Sequence, residues 1–167
     1  MPFDGSVESP RESYDALIQL RAARAEIADP EKWIKYDWTT SSGRHCSVGV
    51  LCEVILTSND RSSAHECMAY SSMWLAEFDH EKAMIYLFNS LPWRNRVGYL
   101  LHSLDSRRSR AMCIVRYNDR RWRVHKDIVR LFDRAIKRAA RNSVVHGVRT
   151  AHCASLKMHG SVPWTTS

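Results

Sequence analysis

Apolar side chains recur at helical spacing toward the C-terminal end of the chain, and this is the clearest pattern in the sequence. Over residues 126–141 they fall three, four, seven and eight positions apart, which aligns them on one face of a helix. They are Ile128, Val129, Leu131, Phe132, Ala135, Ile136 and Ala139. Lysine and arginine occupy most other positions of this stretch. The pattern predicts an amphipathic helix with a buried apolar stripe and a basic outer face.

The first helix is predicted by its start signal as well as by its spacing. Ser9, Pro10 and Glu12 supply an N-cap serine, a proline at the first helical position and a glutamate at the third. Apolar residues follow at helical spacing, namely Tyr14, Leu17, Ile18, Ala22 and Ala25. Asp29 precedes Pro30, and a residue before proline avoids the helical region. The helix should therefore end before this pair, which is suited to capping a short turn.

Shorter elements are predicted between these two helices. Ser47 is placed to cap a helix that reaches Ile55, and helical patterns also cover residues 63–78 and 81–91. Residues 93–104 are apolar enough for a helix, although Gly98 weakens that pattern. The aromatic-rich stretch near 34–45 predicts a small strand pair or an ordered loop, and 111–117 resembles a further extended segment.

Together these elements predict a mainly α protein, a single compact helical domain with a small extended or β element. A chain of 167 residues matches the usual size of one domain and is long enough to bury a core. We expect an N-terminal arm over residues 1–8, the helix-rich domain over 9–141, and a mobile C-terminal tail over 142–167, where no periodicity persists.

Composition narrows the classes of protein that fit. The hydrophobic fraction of 44% and the charged fraction of 26% are ordinary globular values. No apolar run approaches the roughly 18 residues of a membrane span, and the start of the chain lacks the pattern of a secretory signal. The five cysteines are odd in number and irregularly spaced, which favours reduced thiols and a cytoplasmic location.

Charge is distributed unevenly along the chain. Residues 1–104 contain 10 basic and 14 acidic residues, whereas residues 105–141 contain 13 basic and 4 acidic residues. The predicted last helix and the segment before it therefore hold a net charge of +9 beside a mildly acidic body. Such an asymmetry indicates either a solvated basic face or a surface for an anionic partner.

The candidate binding residues are basic or aromatic side chains of this surface, which spans residues 107–141. They are Arg121, Trp122, Arg123, Arg130, Arg134 and Arg138. Arginine contacts phosphates, and a tryptophan among arginines is suited to stacking a base. Possible partners are therefore an acidic protein or nucleic acid, but no recognised nucleic-acid-binding motif accompanies the charge. The alternative is a solvated helix face that binds nothing.

A cysteine near a helix start is the strongest catalytic candidate. Cys46 precedes the helix predicted from Ser47, where backbone N–H groups and the helix dipole favour a thiolate. A cysteine hydrolase would also need an imidazole and a group that orients it. His125 with Asn118 or Asp119 could serve these roles. The alternative is that Cys46 is a small buried residue and that His125 only begins a helix.

Other chemistry finds little support in the sequence. The chain lacks a P-loop, a dinucleotide-binding fingerprint, a zinc-protease motif and an EF-hand loop. His65 and Cys67 lie two positions apart, a spacing that points two helical residues in different directions, so we predict no metal site and no cofactor. Aromatic residues could line a ligand pocket or fill the core; they are Trp33, Tyr36, Trp38, Trp74 and Trp93.

Two stretches of the chain resemble a bacterial family of domains of unknown function. The first contains the D-P-x-x-W turn of Asp29–Trp33 and the C-x-x-G-V-L sequence of Cys46–Leu51; the second contains Asn118, Asp119 and, after five residues, His125. Members commonly have glycine and threonine before that histidine, where this chain has Trp122 and Val124. The resemblance spans about residues 15–140 and implies one domain whose two ends pack together. It implies no activity.

The leading interpretation of the sequence is a non-catalytic intracellular accessory or binding domain. A cysteine hydrolase-like enzyme using Cys46 and His125 is the first alternative, and a basic nucleic-acid-associated module is the second.

Overall fold

The structure, a computed structural model, describes residues 10–58, 78–101 and 109–158. Six α-helices lie within these ranges. They are α1 (Pro10–Glu26), α2 (Ser47–Ser58), α3 (Lys82–Asn89), α4 (Trp93–Leu101), α5 (Arg110–Asn118) and α6 (His125–Met158). A short 3-10 helix (Pro30–Lys32) follows α1. The prediction of a mainly helical single domain is confirmed, and the helix predicted over 63–78 lies almost entirely outside the described residues.

Both ends of the first helix follow its sequence signals. Proline occupies the first position of α1, and the helix ends three residues before Asp29. The Asp29 side chain accepts a hydrogen bond from the N–H of Glu31 at 2.9 Å and so caps the 3-10 helix. Of the apolar residues at helical spacing in α1, Tyr14 and Ile18 are 58% and 49% exposed. The core instead receives a face rotated around the helix, formed by Ala16, Leu17, Leu20 and Ala23.

The extended element near 34–45 is a loop held by two isolated bridges. His45 pairs in parallel with Trp33 and antiparallel with Thr39. The N–H of Cys46 donates to the carbonyl of Trp38 at 3.0 Å, which brings the end of the loop to the start of α2. That carbonyl lies over Gly49, where a Cβ atom would be 2.0 Å from the oxygen. Glycine at this position therefore allows the loop to cross closely over α2.

Residues 111–117 are helical, so the extended segment predicted there is wrong. Ser109 caps α5 by accepting from the N–H of Met112 at 3.1 Å. The carboxylate of Asp79 accepts from the N–H groups of Arg110 and Ala111 at 2.9 and 3.0 Å. Two free helical donors are thereby satisfied from a residue more than 30 positions away, which sequence spacing alone does not reveal.

The last helix packs its predicted apolar stripe against α1 and α3. Ile128, Leu131, Phe132, Ala135 and Ala139 are fully buried, while Val129 and Ile136 are partly buried. The helix passes residue 141, where we placed the end of the domain, and continues to Met158. The mobility predicted for 142–167 stays a prediction. No helix in the described ranges is both long and apolar enough to cross a membrane.

Candidate functional site

A groove of about 810 Å³ lies between the basic face of α6 and the turn that joins α3 to α4. Its lining includes seven cationic side chains, Arg96, Arg123, Arg130, Arg134, Lys137, Arg138 and Arg141. Asp127 is the one acidic residue among the lining residues. The groove is therefore a concave surface of strongly positive charge, the arrangement that attracts anions.

Two of these arginines form hydrogen bonds to the C-terminal end of α3. Arg134 Nε donates to the carbonyl of Ser90 at 3.1 Å, and an N–H of Arg138 donates to the carbonyl of Asn89 at 2.5 Å. Carbonyls at a helix C-terminus have no partner within the helix and carry a partial negative charge. These contacts therefore neutralise part of the charge of Arg134 and Arg138 and fix the width of the groove.

Three other cations have no such partner. Arg130, Lys137 and Arg141 are exposed and make no hydrogen bond or ion pair with any residue that the structure describes. Arg130 is four residues from Arg134, and Lys137 is four residues from Arg141, so like charges are neighbours on the helix surface. Such pairs destabilise a helix by a few tenths of a kcal/mol each. Among the residues that line the groove, only the negatively charged Asp127 offsets the repulsion between these cations.

Arg123 closes the groove at the N-terminal end of α6. Its guanidinium lies 4.1 Å from the centre of the Tyr117 ring and 3.7 Å from the carboxylate of Asp127. The Nε atoms of Arg123 and Arg96 are buried without a hydrogen-bond partner in the described part of the chain. Two charged N–H groups of the groove thus lack a partner among the described residues, a costly arrangement for buried donors.

The structure brings four of the six candidate binding residues together. Arg123, Arg130, Arg134 and Arg138 line the groove, whereas Arg121 and Trp122 are exposed outside its lining. Arg96 was not among the candidates, since it belongs to α4 and only the fold brings it opposite α6. Its single sequence signal is the cluster of two arginines directly after Pro92 and Trp93.

Cys46 lies in a closed apolar setting. Its side chain is 1% exposed, and its sulfur accepts a hydrogen bond from the N–H of Gly49 at 3.3 Å. Cys46 therefore occupies the N-cap position that we predicted for Ser47, and the Ser47 hydroxyl has no partner within the described ranges. Burial raises the pKa of the Cys46 thiol to about 11, against the lowering expected from a helix start. Desolvation of the thiolate outweighs the helix N–H groups.

The imidazole of His125 is engaged elsewhere. Its Nε2 donates to the carbonyl of Ile27 at 2.7 Å, and its ring lies 5.9 Å from that of Trp33. No hydrogen bond joins His125 to the sulfur of Cys46, although both residues are described. In this geometry, His125 joins the start of α6 to the end of α1.

Asn118 and Asp119 connect α5 to the loop before α2. Asn118, which is fully buried, accepts from Trp33 Nε1 at 2.9 Å and donates to the carbonyl of Ile34 at 3.1 Å. Asp119 accepts from the N–H of Tyr36 at 3.0 Å, and Tyr36 has a left-handed backbone with a φ of 63°. Both side chains thus have structural partners, and the loop owes its shape to this pair.

Within the described residues, no group of three or more histidine, cysteine, aspartate or glutamate side chains is placed to hold a metal. Searches of the curated proteins and of the solved structures each found no match. A family model described as a family of unknown function, DUF6197, matches residues 13–138. This range runs from α1 into α6 and includes most of the groove, and we conclude that the chain belongs to the DUF6197 family of unknown function.

Proposed function

We propose that this protein is a non-catalytic binding domain that holds a phosphate-bearing polyanion in the basic groove. The observation that carries the proposal is the set of three exposed cations, Arg130, Lys137 and Arg141, that have no partner in the described part of the chain. A bound polyanion would neutralise these charges and relieve their mutual repulsion. An acidic peptide is the competing occupant, because its carboxylates would neutralise the same cations.

The surroundings of Cys46 favour a binding role over the cysteine hydrolase alternative. A nucleophilic cysteine needs thiolate character and a path for its substrate. The Cys46 thiol is buried with a raised pKa, and His125 donates to a backbone carbonyl. Cys46, Cys52 and Cys113 are free thiols, which is in keeping with the cytoplasmic location that we propose.

Inorganic tripolyphosphate is a suitable probe for the proposed function. We expect it to raise the melting temperature of the protein and to bind in a salt-dependent way. The triple variant Arg130→Gln, Lys137→Gln and Arg141→Gln should lower the affinity roughly tenfold or more, because three charge-assisted contacts are lost. Isothermal titration at two salt concentrations measures both effects.

A matched control removes the same charge outside the groove. Arg21, Arg44 and Lys126 are exposed and do not line the groove, and their triple substitution by glutamine also lowers the net charge by three. Tripolyphosphate affinity should fall far less in this control. Equal losses in the two triple variants would contradict the assignment to the groove, and an absence of binding to the unaltered protein would overturn the proposed function.

A further inference from the structure

We infer that the polyanion bound in the groove is a single-stranded nucleic acid, whose bases stack on two exposed tryptophans at the groove margins. The inference rests on the proposed function and adds the class of ligand to it. Two features carry it: the linear arrangement of the cations along α6, and the position of Trp93 and Trp122 beside residues that line the groove.

The cations form a row along the helix axis. Groove-lining positions recur at 130, 134, 137, 138 and 141, which at 1.5 Å per residue span about 16 Å with steps of about 6 Å or less. A single phosphate group is best held by charges that converge on one point. A row of charges instead matches a polymer that repeats a phosphate along its length, as a nucleic-acid strand does.

Two exposed tryptophans directly adjoin residues of the groove lining in the sequence. Trp93 is 63% exposed and follows Pro92, and Trp122 is 69% exposed and precedes Arg123, so each directly adjoins a residue of the lining. Arg94 and Arg120 lie beside these rings, at 5.9 and 5.7 Å from the ring centres. Exposed indoles next to guanidinium groups are the surfaces on which unpaired bases stack. Polyphosphates and acidic peptides would leave these rings unused.

The shape of the groove favours a single strand over a duplex. A helix that reads duplex DNA enters a major groove about 12 Å wide. The basic side of α6 is flanked by the end of α3, to which Arg134 and Arg138 are hydrogen-bonded. The end of α3 therefore prevents this side of α6 from entering a major groove. In a duplex the base faces are also stacked on one another, so they are not accessible to tryptophan.

The test compares single strands with a duplex of the same sequence. Fluorescence anisotropy of a labelled 15-nucleotide mixed-sequence strand, prepared as DNA and as RNA, gives the affinity of the full chain, and tripolyphosphate serves as the competitor. Trp93→Leu and Trp122→Leu should each weaken strand binding by about tenfold. Both variants should bind tripolyphosphate as the unaltered protein does. Tyr14→Leu, which removes an aromatic ring that is 58% exposed on α1, is the control.

The outcomes separate this inference from the proposed function. Preferred binding of either strand over the duplex, lost selectively in the two tryptophan variants, supports the inference. Equal affinity for strand and duplex, or tryptophan variants that bind the strand normally, would overturn it while tripolyphosphate binding keeps the proposed function. If neither strand nor tripolyphosphate binds, both proposals fail.

Discussion

At the scale of single residues, buried polar groups decide how the loop before α2 is held. Asn118 makes hydrogen bonds to Trp33 and Ile34, and His125 makes one to Ile27. The sequence marks these residues as candidates for chemistry because asparagine and histidine often serve catalysis. Their partners are backbone and indole groups of distant segments, which no local pattern identifies. Asn118 and His125 therefore stabilise the fold, although their residue types are common in catalytic sites.

The raised pKa of Cys46 predicts that its thiol reacts slowly with alkylating reagents. A pKa of about 11 in place of 9.0 lowers the thiolate fraction at pH 7.5 about a hundredfold, and burial also restricts access of a reagent. In the native protein, iodoacetamide should therefore alkylate Cys46 at least a hundredfold more slowly than in guanidinium chloride. Peptide-level mass spectrometry measures both rates. Rapid alkylation of Cys46 in the native protein would restore the cysteine hydrolase alternative.

His45 predicts a loss of stability on mild acidification. Burial lowers its pKa below 6.5, an effect that Glu53 and Glu26 oppose, and its Nδ1 is buried without a partner in the described residues. The unfolded chain therefore binds a proton at His45 more readily than the folded chain does. The contribution of neutral His45 to the free energy of unfolding is complete above pH 6.5. It is lost as the pH falls toward the folded pKa.

Urea unfolding at a series of pH values from 7.5 to 5 tests this contribution. His45→Gln has no ionisable group at this position, and its free energy of unfolding should fall less steeply with pH in that range. An identical slope in the variant and the unaltered protein would show that other groups cause the pH dependence.

At the scale of elements, periodic patterns predict helices well and their faces less well. The stripe of α6 was predicted correctly because seven apolar positions leave one possible face. In α1, alanines alternate with larger residues, and the buried face is selected by contact with α6, which favours small side chains such as Ala16 and Ala23. The short apolar run in α5 fits a strand or a helix, and capping by Asp79 favours the helix.

Asp79 should therefore be important for α5. Its carboxylate satisfies two N–H groups at the start of that helix and is largely buried. Asp79→Ala should lower the free energy of unfolding by about 2 kcal/mol, because the donors lose a charged acceptor. Asp15→Ala, at an exposed position of α1, should change it by less than about 0.5 kcal/mol. Denaturant titration compares the two, and similar small effects would contradict this role.

At the scale of the whole molecule, the charge of the site was predictable but its concavity was not. Composition along the chain already places a net +9 within residues 105–141. The groove forms because Arg96 and the α3–α4 turn face α6, an arrangement set by packing between elements that are distant in sequence. The same reason explains why the sequence alone predicts a pocket or core position for Trp93.

Arg141 predicts a trade-off between stability and binding. Its neighbours one turn back are Lys137 and Arg138, so Arg141→Gln removes two like-charge contacts. The variant should gain about 0.5 kcal/mol in the free energy of unfolding at low salt and lose affinity for tripolyphosphate. Arg24→Gln makes the same charge change but breaks a pair with Asp133 at 3.2 Å, so it should gain nothing. A destabilised Arg141 variant would indicate a structural role.

The hydrogen bonds of Asn118 also have a consequence for the order of folding. They join segments 84 and 85 residues apart, and the bond between His125 and Ile27 spans 98 residues. Helical proteins usually fold fast through local contacts, whereas contacts of this separation form only after long loop closure. We therefore expect the loop before α2 to become ordered after the folding transition state. Asn118→Ala should then accelerate unfolding and leave the folding rate almost unchanged, as stopped-flow kinetics would measure.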